Sequence, residues 1–301
     1  MSADDPGRIL LQKGTAVARG STLVLVVLSI AKGTVGLLSG SIALLADAAH
    51  TIMDIAGSVI VWLGLRLSLR KPTDQFPYGF YKGESICALI VCIIMIFSGT
   101  EILRDSVERF YVASVISSRP IVIAVAIGSG IVSYFLARYK DKAGREINSQ
   151  GLKVESRHSL ADVLDSGLVC GGVVFTYLNV FWVEPLAAVI ISIFLLWTAF
   201  TFGKDSILSL MDVSPRPEMI KAIEETIIGT PDVKGTHALK LRRAGPFIFV
   251  EAHVEVDGGI SVERAHAVAD EVESRVKKKF KEVDSITVHI GIASVHEKEH
   301  R

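Results

Sequence analysis

The chain runs in two rhythms. Up to about residue 210 long apolar stretches dominate, and six of them reach the roughly 20 residues a helix needs to cross about 30 Å of hydrocarbon. They lie at 18–38, 42–68, 82–107, 118–139, 152–178 and 183–209. Ionisable residues interrupt the second, third and fifth, which predicts that these helices turn a face toward a bundle interior or a wet cavity. Beyond residue 211 the period changes. In "FIFVEAHVEVD", Ile248, Val250, Ala252, Val254 and Val256 alternate with Glu251, His253 and Glu255, and "DSITVHIGI" sets Ile286, Val288 and Ile290 against Thr287 and His289. Both read as strands. Helical spacing fits Pro217–Ile228 and again Ser261–Phe280, where Ser261 caps and Val262, Ala265, Val268, Ala269, Val272 and Val276 form the apolar stripe. A further strand at Thr236–Arg242 completes αββαβ, a small open-faced sandwich. No internal repeat is read from the sequence.

The predicted fold class is an α-helical membrane protein: six transmembrane helices followed by a small cytoplasmic α+β domain. Its parts are an N-terminal tail at 1–14, the helical transport domain at 15–210, the αββαβ domain at 211–294 and a charged tail at 295–301. Composition agrees. Half of the 301 residues are hydrophobic and the mean hydropathy is +0.45, above the soluble norm. Residues 211–301 hold 30 of the 64 charged side chains, and "MDVSPRPEM" marks the boundary with two prolines. The 32 basic and 32 acidic residues balance, so no net field points to nucleic acid as a partner. Thirteen Lys and Arg flank one set of span ends against three on the other. That bias predicts a multi-pass protein of the plasma (inner) membrane with both termini in the cytoplasm. Cys87, Cys92 and Cys170 sit singly in apolar runs and read as buried thiols in a reducing setting. The polar start "MSADDPGRILLQKG" has no signal-peptide core.

The eight histidines carry the chemistry. "HTIMD" and "HSLAD" give His50 with Asp54 and His158 with Asp162, the same H-x-x-x-D spacing in the second and fifth spans. Residues at i and i+4 share a helix face, so each span offers an imidazole and a carboxylate one turn apart. Two such faces turned together make an N2O2 site that suits tetrahedral Zn2+. Against a structural Asp–His hydrogen bond stands the cost of intramembrane charge, about 2.5–3.5 kcal/mol for each carboxylate at mid-bilayer. Asp47, one turn before His50, and Asp165, one turn beyond Asp162, would extend a polar path toward the outer side or make plain interhelical contacts. Lys32 reads as a structural partner of an aspartate such as Asp47. His237, His253, His266 and His289 suggest a second metal site in the cytoplasmic domain. "HEKEH", His296 to His300, matches the zinc-protease motif literally, but it ends the chain in a charged tail without an apolar face. A tail with loose metal affinity is the better reading.

With "SGSIALLADAAHTIMD", "HSLAD" and the αββαβ tail in hand, the sequence resembles the cation diffusion facilitators, divalent-cation/proton antiporters, over about Gly14 to Ser294. Two histidines at the first ligand positions resemble the zinc-preferring pattern, among bacterial ferrous-iron and zinc efflux members. The resemblance implies a six-span homodimer with a metallochaperone-like cytoplasmic domain, and a transport site of His50, Asp54, His158 and Asp162. It also implies zinc at a cytoplasmic dimer interface through His237, His253, His266 and His289, although Gly291 stands where relatives carry a metal-bridging aspartate. Lys82 and Asp212 match an interlocking hinge ion pair. "DQFPYGFY" lacks the histidines of a loop site found in relatives, so none is expected there.

The expected function is Zn2+/H+ antiport out of the cytoplasm by alternating access, with divalent metal ions, protons, the bilayer and a second copy of the chain as partners. Zn2+ is the expected ion, with no organic cofactor; Fe2+, Mn2+, Co2+ or Cd2+ as main substrate is the alternative. An intramembrane metalloenzyme lacks a catalytic helix motif, and a membrane-anchored metal sensor leaves the paired span ligands without purpose; a transporter rather than an enzyme is expected.

Overall fold

The computed structural model describes residues 6–39, 42–109, 120–177 and 182–293. Among these residues six long helices come first: α1 (Pro6–Ser39), α2 (Ile42–Ser68), α3 (Lys82–Arg109), α4 (Pro120–Glu146), α5 (Gln150–Tyr177) and α6 (Val183–Leu210). Then follow α7 (Pro217–Ile228), β1 (Gly235–Ala244), β2 (Phe247–Val256), α8 (Val262–Lys279) and β3 (Val283–Ile292). The chain divides into a helical unit, Leu10–Ile207, and a second unit that comprises the chain from Leu208 onward together with the start of α1 up to Ile9. His296 and His300 lie outside the described residues.

Among the described residues, four helices hold stretches long and apolar enough to cross a membrane: Ile9–Leu38, Asp47–Ser68, Lys82–Glu108 and Pro185–Leu210. α4 and α5 match them in length at 27 and 28 residues, about 40 Å at 1.5 Å per residue. They differ in polarity, since α5 alone carries Lys153, Glu155, Arg157, His158, Asp162 and Asp165. Polar ends let helices run past their apolar cores. α1 therefore starts at Pro6, inside the segment read from sequence as a tail, and α4 continues to Glu146.

α2 and α5 lie side by side and antiparallel. Asp54 meets His158, a side chain at Gly57 would touch the Glu155 carboxylate 2.9 Å away, and one at Gly151 would lie 3.0 Å from Val61. As α2 advances, its neighbours on α5 recede.

The reading that no internal repeat exists is corrected by the structure. A shift of 108 positions aligns Lys32 with Lys140, Asp47 with Glu155, His50 with His158, Thr51 with Ser159 and Asp54 with Asp162. The contacts align too. Lys32 Nζ donates to Asp47 Oδ1 at 2.8 Å and Thr51 Oγ1 at 3.3 Å, while Lys140 Nζ donates to Glu155 Oε2 at 2.9 Å and Ser159 Oγ at 3.1 Å. Ser29 Oγ donates to the Ala48 carbonyl; at the matching pair the donor changes sides, and Ser156 Oγ donates to the Ala137 carbonyl. A Cβ at Gly36 would lie 3.1 Å from the backbone nitrogen of Leu45, and one at Gly144 3.1 Å from that of Lys153. The α1–α2 and α4–α5 hairpins are thus two copies of one unit. Few polar positions define it, and the apolar remainder is free to drift because any greasy side chain serves there.

The second unit is the open-faced sandwich read from the sequence. β2 pairs antiparallel with β1 and parallel with β3, in the order β1-β2-β3. Alternation places Val250, Ala252, Val254 and Val256 on one face, where they pack with Ile223 and Ile227 of α7 and with Val268, Val272 and Val276 of α8. Ser261 caps α8 by accepting from the Arg264 amide at 3.1 Å. Val262, assigned to the stripe by spacing, is exposed because it sits in the first turn, before the helix reaches the sheet. A bulge between His237 and Lys240 resets the register of β1, with Ala238 at φ 49°.

Candidate metal centre

The centre follows from two i, i+4 pairs on antiparallel helices. His50 and Asp54 project from α2, His158 and Asp162 from α5, and their ligand atoms all lie within 4.8 Å of one another. Among the described residues this is the one group of three or more His, Cys, Asp and Glu that converges so closely. Asp54 and His158 are buried, whereas His50 and Asp162 are partly open. His158 Nε2 and Asp54 Oδ1 share a hydrogen bond of 2.6 Å, and His50 Nε2 stands 3.9 Å from the same oxygen. The two imidazoles are 6.2 Å apart between ring centroids.

With both imidazoles neutral and both carboxylates ionised the group carries two negative charges, which one divalent cation cancels. A tetrahedral Zn2+ with arms of about 2.0–2.2 Å sets its donors about 3.4 Å apart. The four atoms therefore need only small rotamer shifts, inward for the wider separations and outward for the 2.6 Å contact. That contact and the ion exclude each other, because the metal takes the lone pairs that the shared proton occupies. His158 Nδ1 is buried and, among the described residues, has no hydrogen-bond partner. Among the described residues, the hydrogen bond to Asp54 is thus the one that holds this imidazole.

The remaining candidates distribute as follows. Asp47 pairs with Lys32, and Asp165 is exposed on α5. In the second unit His237, His253 and His289 face each other across the sheet: β1 and β2 pair His237 with His253, β2 and β3 pair His253 with His289. Ring centroids are 5.1 and 4.7 Å apart, and His237 Nδ1 lies 3.0 Å from Glu255 Oε1. The ladder occupies the sheet face opposite the helices. His266 stands on α8, exposed, its Nε2 3.8 Å from Asp270 Oδ2. Lys82 begins α3 in the helical unit. Asp212, at φ 58°, follows α6 in the second unit, where its carboxylate is 3.8 Å from Arg242.

Two buried polar groups, Glu155 and Glu84, carry no spacing signature like that of the ligand pairs. Glu155 pairs with Lys140 one turn before His158. Glu84 of α3 accepts from Ser149 Oγ at 2.5 Å and the Gly151 amide at 3.1 Å, and so fastens the start of α5. The signal for the first was present: lysine stands 18 residues before the ligand histidine in both halves.

Comparison with known proteins places these features in context. Residues 19–211 match the cation efflux transmembrane domain and residues 215–291 the cation efflux protein cytoplasmic domain. The uncharacterized transporter YdbO of Bacillus subtilis is 32% identical over 282 residues, 93% of this chain and 96% of that protein. The cation-efflux pump FieF of Pectobacterium atrosepticum is 26% identical over 94% of both chains. The manganese efflux system protein MneS of Bacillus subtilis is 29% identical over 93% of this chain and 96% of that one. Among solved structures, the metal-bound C-terminal domain of the CzcD transporter from Thermotoga maritima is 26% identical, covering 27% of this chain and 95% of that domain at a TM-score of 0.25.

Proposed function

The chain belongs to the cation efflux, or cation diffusion facilitator, family of divalent metal efflux transporters, which are not enzymes, and from that premise we propose that it exchanges cytoplasmic Zn2+ for protons. The observation that carries the reading is the convergence of His50, Asp54, His158 and Asp162 within 4.8 Å. Two nitrogens and two carboxylate oxygens suit Zn2+ better than a harder ion that prefers oxygen. Protons enter through the same atoms. Metal needs deprotonated ligands, so loading the ion displaces the proton shared by His158 and Asp54, and reprotonation expels the ion. Histidine, with a free pKa near 6.5, sets that competition in the physiological range.

All six helices then span the membrane, with the termini in the cytoplasm. The ion-bearing faces of α2 and α5 turn inward, which is how charge is accommodated at that depth. Asp47 and Asp165 extend the path on the side of His50 and Asp162. The His237, His253 and His289 ladder, with His266, offers nitrogen donors for a regulatory ion on the open sheet face. A second copy of the chain packed on that face would complete a site that one chain leaves open.

The test is purified protein in liposomes with a zinc dye inside and an imposed pH gradient. Zinc uptake should follow the proton gradient and fall at least about tenfold in Asp162→Ala and His158→Ala, as expected when one of four ligands is removed. Undiminished flux in those variants, or flux of Mn2+ with none of Zn2+, would sink the zinc reading.

A further inference from the structure

The two copies of the helical hairpin differ in how far their ion pairs are shielded from solvent. At the end of the centre marked by Glu155, the clamp is sealed: the Lys140 and Glu155 side chains are 2% and 3% exposed, and Val61, Leu65, Leu152 and Val154 close around the same end. At the other end the matching ion pair is also made, at 2.8 Å, but it faces solvent, with Lys32 and Asp47 at 8% and 35% and His50 at 38%. Because α2 and α5 run antiparallel, the repeat sets these clamps at opposite ends of the metal centre. Each clamp has the same construction. A lysine from the first helix of the hairpin reaches an acid and a hydroxyl on the second helix, and the acid precedes the ligand histidine by three residues.

We propose that Lys32–Asp47 and Lys140–Glu155 are the paired gates of the transport path, built by the internal repeat, with the Lys140–Glu155 gate sealed from solvent and the Lys32–Asp47 gate facing it in this conformation. This rests on the transport reading above. Chemically equivalent units with unequal burial can exchange those environments, and the centre between them then opens to one side or the other, as inverted repeats do in other transporters. The hydrogen bonds of Lys32 and Lys140 go to the acid and hydroxyl of each clamp and to none of the four ligand residues. They are positioning residues, acting through the helix that carries each ligand pair. The closed gate is the costly one to break, since a buried acid left without its partner is strongly unfavourable. A gate neutralised at both residues leaves no such orphan, but it loses the attraction that held the gate closed.

The two gates therefore make opposite predictions. The proteins compared are wild type, Lys140→Met with Glu155→Gln, Lys32→Met with Asp47→Asn, and Lys140→Arg. In liposomes, amide exchange should rise roughly tenfold over residues 137–156 and fall over 29–48 when the Lys140 gate is neutralised, the size of an ordinary conformational bias. Neutralising the Lys32 gate should do the reverse. Zinc flux should drop about tenfold in both, while Zn2+ affinity in detergent stays within about threefold, because the ligands are intact. Lys140→Arg, which keeps the pair, should restore the wild-type exchange pattern. A rise at one end without the fall at the other, or loss of Zn2+ affinity in step with flux, overturns the gate assignment. Absence of zinc flux in wild type instead overturns the transport reading on which it rests.

Discussion

Glu84 offers a sharp test of how the helical unit is held together. Its carboxylate is 1% exposed and accepts from Ser149 Oγ and the Gly151 amide, while Ser149 Oγ accepts in turn from the Leu152 amide at 3.2 Å. The group thus caps the first turn of α5, where free amide hydrogens favour negative charge. Hydrogen bonds to a charged group contribute about 1.5–3 kcal/mol each. Glu84→Ala removes two of them and leaves buried donors, offset by relief of the buried charge, for a net loss of about 3 kcal/mol. At 2–4 °C per kcal/mol for a unit of this size, the melting temperature should fall by about 6–12 °C. Glu84→Gln keeps an acceptor and loses only the charge, so about 1 kcal/mol and 2–4 °C are expected. The assay is intrinsic tryptophan fluorescence during heating in detergent. Trp62, Trp182 and Trp197 are the three tryptophans of the chain, and all belong to the Leu10–Ile207 unit, so the signal reports on that unit alone. A Glu84→Ala protein melting within 2 °C of wild type, or a Gln variant as unstable as the Ala variant, would refute the capping role; these thresholds are about the shift expected for 1 kcal/mol.

Two further predictions concern other parts of the chain. Ile223→Ala, at a fully buried position under the sheet, should cost the second unit about 2–5 kcal/mol; amide exchange of β2 should accelerate while the tryptophan transition stays in place, and a matching shift in that transition would show that the units do not melt separately. Glu146 is held below its ordinary carboxylate value of 4.5 by a hydrogen bond from Lys13. A depressed folded value means that this contact supports the fold fully above about pH 4.5 and fades as the pH falls through the lower folded value. Lys13→Ala should move the Glu146 titration back up, as read by carboxyl 13C NMR, and an unmoved titration would remove Lys13 as the cause.

Much of the fold and of the centre was legible along the chain because both depend on short-range periodicity. An i, i+4 spacing fixes that His50 and Asp54 share one face of a helix, and an alternation of two fixes which side of β2 meets the core. These are properties of a single element, so Pro217–Ile228 is the same helix in the sequence as in the structure. The ligand pairs could be inferred as halves of one site because each alone is too polar for a membrane helix.

The sequence by itself therefore determined the elements, the αββαβ order and the four ligands that the transport reading uses. Tertiary structure alone decided which polar groups meet across long separations. It placed Lys140 against Glu155, Glu84 against the start of α5, and the three histidines in one cross-strand register, and it left Val262 in solvent despite its helical spacing. It also revealed the duplicated hairpin, whose signature is a set of contacts more than a string of letters. The physical reason is the same in each case. Helix and strand periods arise from backbone geometry a few residues long, whereas the partner of a buried charge is chosen by packing, which the one-dimensional pattern does not carry.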